Sequence, residues 1–472
     1  MDRKDIFCEI VKCECDKKFI NIKRIIMNSK EVEKDDLFLA IRGGNKFTEE
    51  ALEKGAYVVY DDKELQIEEK FKEKAFYVKN SVEFLQEFAE KWRKNLNLKV
   101  IGITGSNGKT TVKDMIYHLL SVKYKGKKTE GNYNNHIGLP FTLLRAEKGD
   151  DFIILEMGMS GFGEIDLLGK ISSPDISVIT NIGESHLEFL KTKKNVFKAK
   201  TEIIPHTKET LVINGDDEYL KDIDENSLKE KGLKTVKILN MGNNKNYMEN
   251  IEKSVESNND FYYGDIDFNE VETKFTLEYF DENFKKWTHK FYNTNVLGEH
   301  NILNLTIAVS VAKEMALGDE EIEKAVKDIV LTNMRFQIIT KGKTTYINDA
   351  YNASPMSMKK SLETFSKIYN DREKIAVIGD MLELGEQEGE LHASIFDVIV
   401  NTNLNRLYLY GPRMRFLYDR IRENSNNENI KKIETEYFES KEQIKEKLEG
   451  IKEEKVVLIK ASRGMKLEEV ME

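Results

Sequence analysis

Glycines, a lysine and threonines stand together in the segment GITGSNGKTT, residues 102–111. Glycines let a backbone turn tightly and point its N–H groups at phosphate oxygens. A lysine beside them can neutralise nucleotide phosphates, and the adjacent hydroxyl can ligate Mg²⁺. The first glycine stands one position before the place that the usual phosphate-loop spacing requires. The segment predicts a site for ATP and Mg²⁺ formed by Gly105, Ser106, Asn107, Gly108, Lys109, Thr110 and Thr111.

The elements around this loop agree with a phosphate site. A β-rich run, KVIGIT, precedes it, and an amphipathic segment, TVKDMIYHLL, follows it. The start of a helix carries a partial positive charge that favours phosphate. A chance glycine-rich turn is the alternative, and the strand and the helix argue against it. Further apolar runs, FIILEMG, ISVITNIG and TLVING, alternate with helical stretches, which predicts a parallel sheet covered on both faces.

Two polar side chains follow these apolar runs where a metal ion can reach them. Glu156 ends FIILEMG, and His186 comes shortly after ISVITNIG. A carboxylate at the carboxyl end of a parallel strand, near a phosphate loop, can hold Mg²⁺ directly or through water. The alternatives are a surface glutamate and a structural histidine.

A lysine interrupts an apolar helix face in NVFKAKTEII. At about 100° per residue, Lys200 falls near the middle of that face and Lys198 points almost the opposite way. The face consists of Val196, Phe197, Ile203 and Ile204. Burying a lysine is costly unless it is paired or chemically altered. The alternative is a lysine whose stem covers apolar surface while its ammonium reaches water.

The alternation of strands and helices divides the 472 residues into three α/β domains. Residues 1–97 form a small mixed α/β unit, and 98–332 form a central parallel-sheet domain. Within the second, two alternating segments predict antiparallel strands on either side of the turn DEN. A further α/β domain occupies 333–472, with strands at TTYINDA, KIAVIGDM, RLYLYG and KVVLIKAS.

Composition narrows the class of protein. The net charge of −10 argues against a general nucleic-acid binder. No apolar run reaches the ~18–20 residues of a membrane span, and the charged N-terminus lacks a signal-peptide pattern. We therefore expect a cytoplasmic protein without stable membrane insertion. Cys8, Cys13 and Cys15 form an odd, clustered set, which predicts reduced thiols rather than disulfides.

The loop variant TGSNGKTT resembles the ATP loop of the Mur ligases and of their relative folylpolyglutamate synthetase. The resemblance implies an N-terminal domain that binds a UDP-linked substrate, a central P-loop ATPase domain and a C-terminal Rossmann-like domain. It also implies ATP and two Mg²⁺ ions, with Lys109 catalytic and Thr110 as a ligand. By the same resemblance, Glu156, His186 and Lys200 are also catalytic and complete the set of metal ligands. The resemblance further implies that CO₂ carbamylates Lys200, which converts a cation into a metal-binding carboxylate.

Nucleotide contacts follow from further motifs. GEHNILN resembles the family segment L-G-x-H-N-x-x-N, which implies that Asn304 contacts the adenine. Helix N-terminal capping is the alternative for this segment. By the same resemblance Arg335, in NMRFQII, contacts the γ-phosphate and Asp349, in INDAYNAS, contacts the ribose.

Substrate contacts are implied in three other segments. GNYNNHIGLP resembles G-N-x-N-N-x-I-G-x-P, so that Asn134 and Asn135 face the reacting substrate, with asparagine turn chemistry as the alternative. Asn352 lies in a segment that resembles D-x-Y-N-A-N-P, where Ser354 replaces the second asparagine. Ser29 is the expected UDP-sugar contact, although its NSK departs from the family's D-S-R.

Several segments resemble the branch of the family that adds D-alanyl-D-alanine. They are LEMGMSGFGEI, VIGDMLELGEQ and KASRGMKLEEV. The resemblance implies a monomeric bacterial enzyme that joins D-Ala-D-Ala to a UDP-N-acetylmuramoyl tripeptide through an acyl phosphate. The alternatives are a tripeptide-forming ligase, folylpolyglutamate synthetase, a P-loop ATPase without ligase activity, or a catalytically silent binding protein.

Overall fold

A computed structural model describes residues 2–12, 21–243, 259–281, 285–331 and 333–472. The chain divides into two compact units. The first unit consists of Met1–Ile103, Tyr124–Ser177 and Glu202–Glu209, and the second consists of Thr104–Lys123, Val178–Thr201 and Thr210–Glu472. The domain boundaries expected after residues 97 and 332 stay predictions. Cys13, Cys15 and the last two residues of the predicted turn DEN lie outside the described residues.

The strands occur in nearly every place where an apolar run predicts one. In chain order they are β1 (Ile25–Ile26), β2 (Leu37–Leu39), β3 (Tyr57–Tyr60), β4 (Ala75–Tyr77), β5 (Lys99–Thr104), β6 (Gly126–Lys128), β7 (Phe152–Glu156), β8 (Ile176–Ile179), β9 (Thr210–Asn214), β10 (Lys234–Asn240), β11 (Phe261–Phe268), β12 (Thr273–Asp281), β13 (Lys286–Thr294), β14 (Gln337–Lys341), β15 (Thr344–Asn348), β16 (Glu373–Gly379), β17 (Arg406–Tyr410), β18 (Glu434–Phe438) and β19 (Lys455–Lys460).

The helices fall between these strands, as the alternation predicts. They are α1 (Arg3–Val11), α2 (Thr48–Glu53), α3 (Ser81–Arg93), α4 (Lys109–Leu120), α5 (Gly138–Leu144), α6 (Glu164–Ser172), α7 (Leu187–Leu190), α8 (Lys193–Thr201), α9 (Glu225–Glu230), α10 (Glu299–Glu314), α11 (Asp319–Lys327), α12 (Pro355–Lys367), α13 (Glu388–Ala393), α14 (Phe396–Ile399), α15 (Met414–Glu423) and α16 (Lys441–Gly450). None of the helices in the described ranges is long and apolar enough to span a membrane.

The first unit contains two groups of parallel strands. Strands β1 to β4 pair in chain order, and β7 pairs with both β5 and β6. Helix α3, predicted as the connector, packs against α5 and α6. Its last turn is anchored because the buried Arg93 guanidinium forms a 2.7 Å ion pair with Asp175. The Trp92 indole N–H donates to the Ala146 carbonyl at 3.0 Å.

The second unit confirms the antiparallel strands predicted in the middle of the chain. Strands β11, β12 and β13 pair as an antiparallel meander, and β11 continues in parallel onto β10 and then β9. The sequence analysis missed β10, because Lys237 interrupts the apolar residues of KTVKILN.

The six-stranded sheet of the chain's last part also lies in the second unit. Its order is β14-β15-β19-β16-β17-β18, with β14 as an antiparallel edge strand and the others parallel. Buried apolar side chains cover it on both faces, with α12 to α15 on one face and α16 on the other. The parallel strands therefore bring their carboxyl ends to one edge, which is where ligands bind in such sheets.

Candidate functional site

The phosphate loop has a backbone shape that only glycine accommodates at two positions. Gly105 and Gly108 have φ values of +144° and +82°, and Gly108 is the N-cap residue of α4. A Cβ atom on Gly105 would lie 1.9 Å from the Thr180 Oγ1 atom. A Cβ atom on Gly108 would lie 2.7 Å from the Asn304 Oδ1 atom. Neither position has room for a side chain.

Replacing the first of these glycines tests the fit of the loop. We expect Gly105→Ala to lower the free energy of unfolding by about 1–3 kcal/mol, because the added methyl group must displace Thr180. Urea denaturation measures the change. The control is Gly450→Ala, at the end of α16, where a Cβ atom meets nothing within 4 Å. Equal stabilities of Gly105→Ala and the unaltered protein would contradict the expectation.

Polar side chains after β8 hold the loop in this shape. The backbone N–H groups of Ser106 and Asn107 donate to the carbonyl and side-chain oxygens of Asn181 at 2.9 and 3.0 Å. The Thr180 hydroxyl donates to the Asn107 carbonyl at 2.6 Å, and the Gly183 N–H donates to Ser106 Oγ at 2.9 Å. The sequence analysis did not single out Thr180 and Asn181, although the polar pair directly after an apolar strand was a usable signal.

The lysine of the loop folds back over it. Lys109 begins α4, and its Nζ atom donates to the Gly105 carbonyl at 2.7 Å. The next two residues, Thr110 and Thr111, are buried in the first turn of α4. The side chain that can bind phosphate and the hydroxyl that can bind a metal ion therefore come from one helix turn.

The burial of Lys200 on α8 is confirmed, and Lys198 is exposed. The periodicity predicted Ile203 and Ile204 on the face of this helix, and that part is wrong because α8 ends at Thr201 and both residues lie beyond it. Burial lowers the pKa of the Lys200 amine well below its usual value, and the nearby charge of Lys109 lowers it further. No carboxylate in the described part of the chain forms an ion pair with Lys200.

His186 lies at the start of α7 and contacts a carboxylate from the last domain of the sequence. Its Nδ1 atom lies 2.8 Å from Glu383 Oε2. The imidazole lowers the pKa of the Glu383 carboxyl below its ordinary value. Sequence reasoning did not identify this partner, because nearly two hundred residues separate the pair.

Glu156 and Asn134 lie together in the first unit. Glu156 is the last residue of β7, and its side chain is buried. The Asn134 amide donates to Glu156 Oε1 at 3.0 Å, and the Asn134 carbonyl accepts from the Gly158 N–H at 2.8 Å. An amide therefore fixes the orientation of the predicted metal-binding carboxylate.

The other two predicted substrate contacts of this unit also have local structural roles. The Asn135 side-chain oxygen accepts from the backbone N–H groups of Ile137 and Gly138 at 3.1 and 2.9 Å. This is the turn chemistry that the sequence left open as an alternative. Ser29 is buried in a 3₁₀ turn, and its carbonyl accepts from Lys54 Nζ at 3.0 Å. Their contacts with a substrate stay predictions.

Helix α10 places its first polar residues beside the phosphate loop. Asn304 is buried against Gly108, and its amide donates to Asn301 Oδ1 at 3.4 Å. Asn301 in turn donates to the Leu297 carbonyl at 2.9 Å. Neither bond is an N-terminal cap, because both asparagines donate, and the N-cap residue Gly298 makes no side-chain cap hydrogen bond.

His300 is partly buried next to these asparagines, and its Nδ1 atom is buried without a hydrogen-bond partner among the described residues. Burial lowers the pKa of its imidazole to about 4, although Asp349 opposes the shift. Because protonation is harder in the folded state, the protein loses stability as the pH falls from 6.5 toward 4. We expect this histidine to cost about 2 kcal/mol of unfolding free energy between pH 7 and pH 5.

Urea denaturation of His300→Gln at both pH values measures this contribution. The variant should lose less stability on acidification than the unaltered protein, whereas His136→Gln, at a different histidine, should keep the full loss. Identical pH dependence in His300→Gln and the unaltered protein would show that the imidazole is not the titrating group.

Asp349 lies at the carboxyl end of β15 and is held by three donors. Lys460 Nζ lies 2.6 Å from Asp349 Oδ2, and the hydroxyl of Ser361 donates to the same oxygen. The Phe336 N–H donates to Asp349 Oδ1 at 3.2 Å. Lys460 is buried and also donates to the Asn352 carbonyl at 3.2 Å. Sequence reasoning missed Lys460, which stands next to the alanine of the KASRG segment.

Arg335 and Asn352 lie near this cluster. The Arg335 guanidinium stacks over the Tyr351 ring at 4.3 Å from its centroid, and its Nε atom is buried without a hydrogen-bond partner in the described ranges. Asn352 is exposed. The N-cap residue of α12, Ser354, donates from its hydroxyl to Asn107 Oδ1 at 3.0 Å. The replacement that departs from the family pattern therefore contacts the phosphate loop.

Comparison with known proteins gives one consistent family. Residues 103–312 match the Mur ligase middle domain, and residues 334–463 match the Mur ligase glutamate ligase domain. The chain is 33% identical to UDP-N-acetylmuramoyl-tripeptide--D-alanyl-D-alanine ligase of Bacillus subtilis (strain 168) over 95% of this chain and 92% of that protein. The chain belongs to the Mur ligase family.

Solved structures of Mur ligases share its architecture. MurF from Acinetobacter baumannii matches with a TM-score of 0.82 at 23% identity. The match covers 99% of this chain and 97% of that chain. MurF from Thermotoga maritima, solved in complex with ADP, has a TM-score of 0.76 at 29% identity, with coverage of 95% and 96%. The three-domain α/β architecture of the Mur ligases, predicted from the sequence, is thereby confirmed.

The residues of the second unit fit the nucleotide that a Mur ligase binds. The loop leaves no space for side chains at Gly105 and Gly108, so its backbone can approach phosphate closely. Lys109 supplies a cation, and Lys200 is a buried amine without a counter-ion in the described part of the chain. No group of three or more His, Cys, Asp or Glu side chains among the described residues is arranged to hold a metal ion.

Proposed function

We propose that the chain is an ATP-dependent ligase that joins D-alanyl-D-alanine to UDP-N-acetylmuramoyl-tripeptide. The observation that carries the proposal is the similarity to the Bacillus subtilis ligase, which extends over nearly the full length of both chains. A ligase of the same name from Rickettsia prowazekii (strain Madrid E) is 31% identical over 96% of this chain and 95% of its own. The product is the pentapeptide precursor of peptidoglycan.

The reaction proceeds through an acyl phosphate. An oxygen of the tripeptide's terminal carboxylate attacks the γ-phosphorus of ATP in line, and ADP leaves. The amine of D-alanyl-D-alanine then attacks the acyl carbon. The new C–N bond forms as inorganic phosphate departs, and the amine gives up a proton. ATP is needed because phosphate is a far better leaving group than oxide.

The chain's own residues bind and orient the phosphates. Lys109 and Arg335 carry the positive charge that offsets the charge developing on the transferred phosphoryl group. Thr110, Glu156, His186 and Lys200 would hold Mg²⁺. When bound, two Mg²⁺ ions would supply Lewis-acid stabilisation to the phosphoryl oxygens.

Lys200 acts as a metal ligand only after carbamylation. Three observations support this role: the amine is buried, its pKa is well below the usual value, and no carboxylate of the described residues pairs with it. A lowered pKa leaves more of the amine neutral, and a neutral amine is the form that adds to CO₂. The added carboxylate is anionic, so it suits a magnesium ligand.

The remaining predicted residues bind the nucleotide and the two substrates. Asn304 contacts the adenine and Asp349 contacts the ribose, while the rest of the phosphate loop cradles the phosphates. The residues that face the UDP-linked tripeptide or the dipeptide are Ser29, Asn134, Asn135 and Asn352. The enzyme acts as a monomer in the bacterial cytoplasm, where ATP is plentiful, and sedimentation of the purified protein tests the monomer.

Phosphate release from MgATP by the purified protein tests the reaction. UDP-N-acetylmuramoyl-tripeptide and D-alanyl-D-alanine are supplied together and singly, and the product is weighed by mass spectrometry. We expect release only with both, and a product heavier by the dipeptide less water. Release with another amino acid, or with folate and glutamate, would mean that the protein is a ligase of the same superfamily with a different substrate. Release that depends on neither substrate would contradict a ligase and favour a P-loop ATPase.

A further inference from the structure

A segment of the C-terminal domain contacts the start of α7 at three points. The Glu383 carboxylate lies 2.8 Å from His186 Nδ1, as described above. The Glu188 N–H donates to the Glu383 carbonyl at 3.3 Å. Gly385 lies so close that a Cβ atom on it would be 3.0 Å from Glu188 Cα. Side chain, backbone and a close approach thus combine in one contact.

The backbone at both ends of this contact adopts a conformation that ordinary residues avoid. His186 has φ of 54° and Glu383 has φ of 64°, and neither is a glycine. Such left-handed conformations are uncommon outside glycine, asparagine and aspartate, and surrounding structure has to maintain them. Gly385, with φ of 61°, adds a third left-handed residue in the same segment. The contact therefore depends on backbone conformation as well as on the two side chains.

Stability does not explain the contact between the two side chains. The Glu383 side chain is 56% exposed and that of His186 is 24% exposed. Exposed ion pairs contribute little to folding. What the carboxylate does constrain is the imidazole, because it lies at ion-pair distance from Nδ1, a ring nitrogen that has no aligned hydrogen-bond partner among the described residues. The other nitrogen, Nε2, is then the atom available to a ligand.

We propose that Glu383 is a positioning residue that orients His186 for Mg²⁺ through the imidazole Nδ1 atom. Metal-binding histidines almost always donate their second ring N–H to a carboxylate, a carbonyl or water, which fixes the tautomer and the ring orientation. The inference rests on the proposed role of His186 as a magnesium ligand. Because Glu383 belongs to the C-terminal domain, the metal site is complete only when that segment contacts α7.

Manganese binding in the presence of ADP tests the inference without turnover. The affinity for Mn²⁺ is measured by electron paramagnetic resonance for the unaltered protein, Glu383→Ala, Glu383→Gln, His186→Ala and the double variant. We expect Glu383→Ala to weaken Mn²⁺ binding about 10-fold or more. Glu383→Gln should lose less, since its side-chain oxygen can still accept from Nδ1. Melting temperatures should stay within a few degrees of the unaltered protein.

Two comparisons separate positioning from a general structural effect. In the His186→Ala background, the further change Glu383→Ala should have no effect on Mn²⁺ affinity, because the carboxylate acts through the imidazole. The control Glu386→Ala removes an exposed carboxylate from the neighbouring 3₁₀ turn and should bind Mn²⁺ normally. Additive losses in the double variant would overturn the inference.

The outcomes also separate this inference from the proposed function. Should His186→Ala weaken Mn²⁺ binding while Glu383→Ala does not, the inference fails and the proposed metal site stands. Should His186→Ala bind Mn²⁺ normally, His186 is not a ligand, and both the inference and that part of the proposed function fail.

Discussion

Lys109→Ala should lose on the order of 10³-fold in kcat/KM for the ligation, comparable to the loss of a charge that acts on a transferred phosphoryl group. The ammonium lies on the first turn of α4, within 2.7 Å of the Gly105 carbonyl. In that position it neutralises phosphate oxygens whose charge changes during transfer. Because it acts on the transition state, kcat should fall more steeply than the affinity for ATP.

Phosphate release under saturating substrates measures this loss. Lys194→Ala removes an exposed lysine from α8 and should retain normal turnover. The melting temperature of Lys109→Ala shows whether the fold is preserved. Turnover of Lys109→Ala near that of the unaltered enzyme, with the fold intact, would mean that the loop does not bind the reacting phosphates.

Lys200→Ala should lose about 10²–10³-fold in kcat, as expected when a fixed charge at a reacting centre is removed. The loss should be partly reversed by added acetate or propionate, because the truncated side chain leaves space for a small carboxylic acid. Lys200→Met is the matched control, since it retains the volume of the lysine stem and leaves no room for the acid. Lys198→Ala, on the exposed side of the same helix, should be active.

The dependence of activity on dissolved CO₂ is a second test of the same prediction. The amine nitrogen must be neutral to form a bond with CO₂, and it then loses a proton. The lowered pKa of Lys200 therefore favours the reaction near neutral pH, and acidification opposes it. Activity of the unaltered enzyme should fall when dissolved CO₂ is removed and return when bicarbonate is added. Full activity without CO₂, together with failure of rescue by acids, would contradict the carbamate.

Sequence reasoning identified candidate site residues more readily than the groups that contact them. The glycines of the loop, Lys109 and Glu156 were recognisable because they occur within short segments with a strand before or a helix after them. The burial of Lys200 followed from helical periodicity alone. By contrast, Glu383, Lys460 and Asn181 were not found. Each of them acts on a residue that is distant in the chain or belongs to another element, and periodicity carries no information about such pairs.

Two strands and one helix end show a similar limit. Lys237 interrupts the apolar residues of β10, and β18 is mostly polar, so neither has the pattern of a buried strand. Both form because a neighbouring strand offers a complete ladder of hydrogen bonds. Helix α8 ends at Thr201, three residues before the apolar pattern ends at Ile204, because the chain turns into a 3₁₀ segment with Pro205 at its second position.

The sequence by itself indicated the groups that could do chemistry: a phosphate loop with its lysine and hydroxyl, a carboxylate at a strand end, and a lysine on a buried helix face. These features are local, and a few adjacent residues specify them. Only the tertiary structure decided which groups orient them. Glu383 lies beside His186, Lys460 beside Asp349, and the side-chain amide of Asn304 beside Gly108. In each pair the two residues are far apart in the chain. Their contacts depend on how sheets and helices pack, and packing is a property of the whole fold.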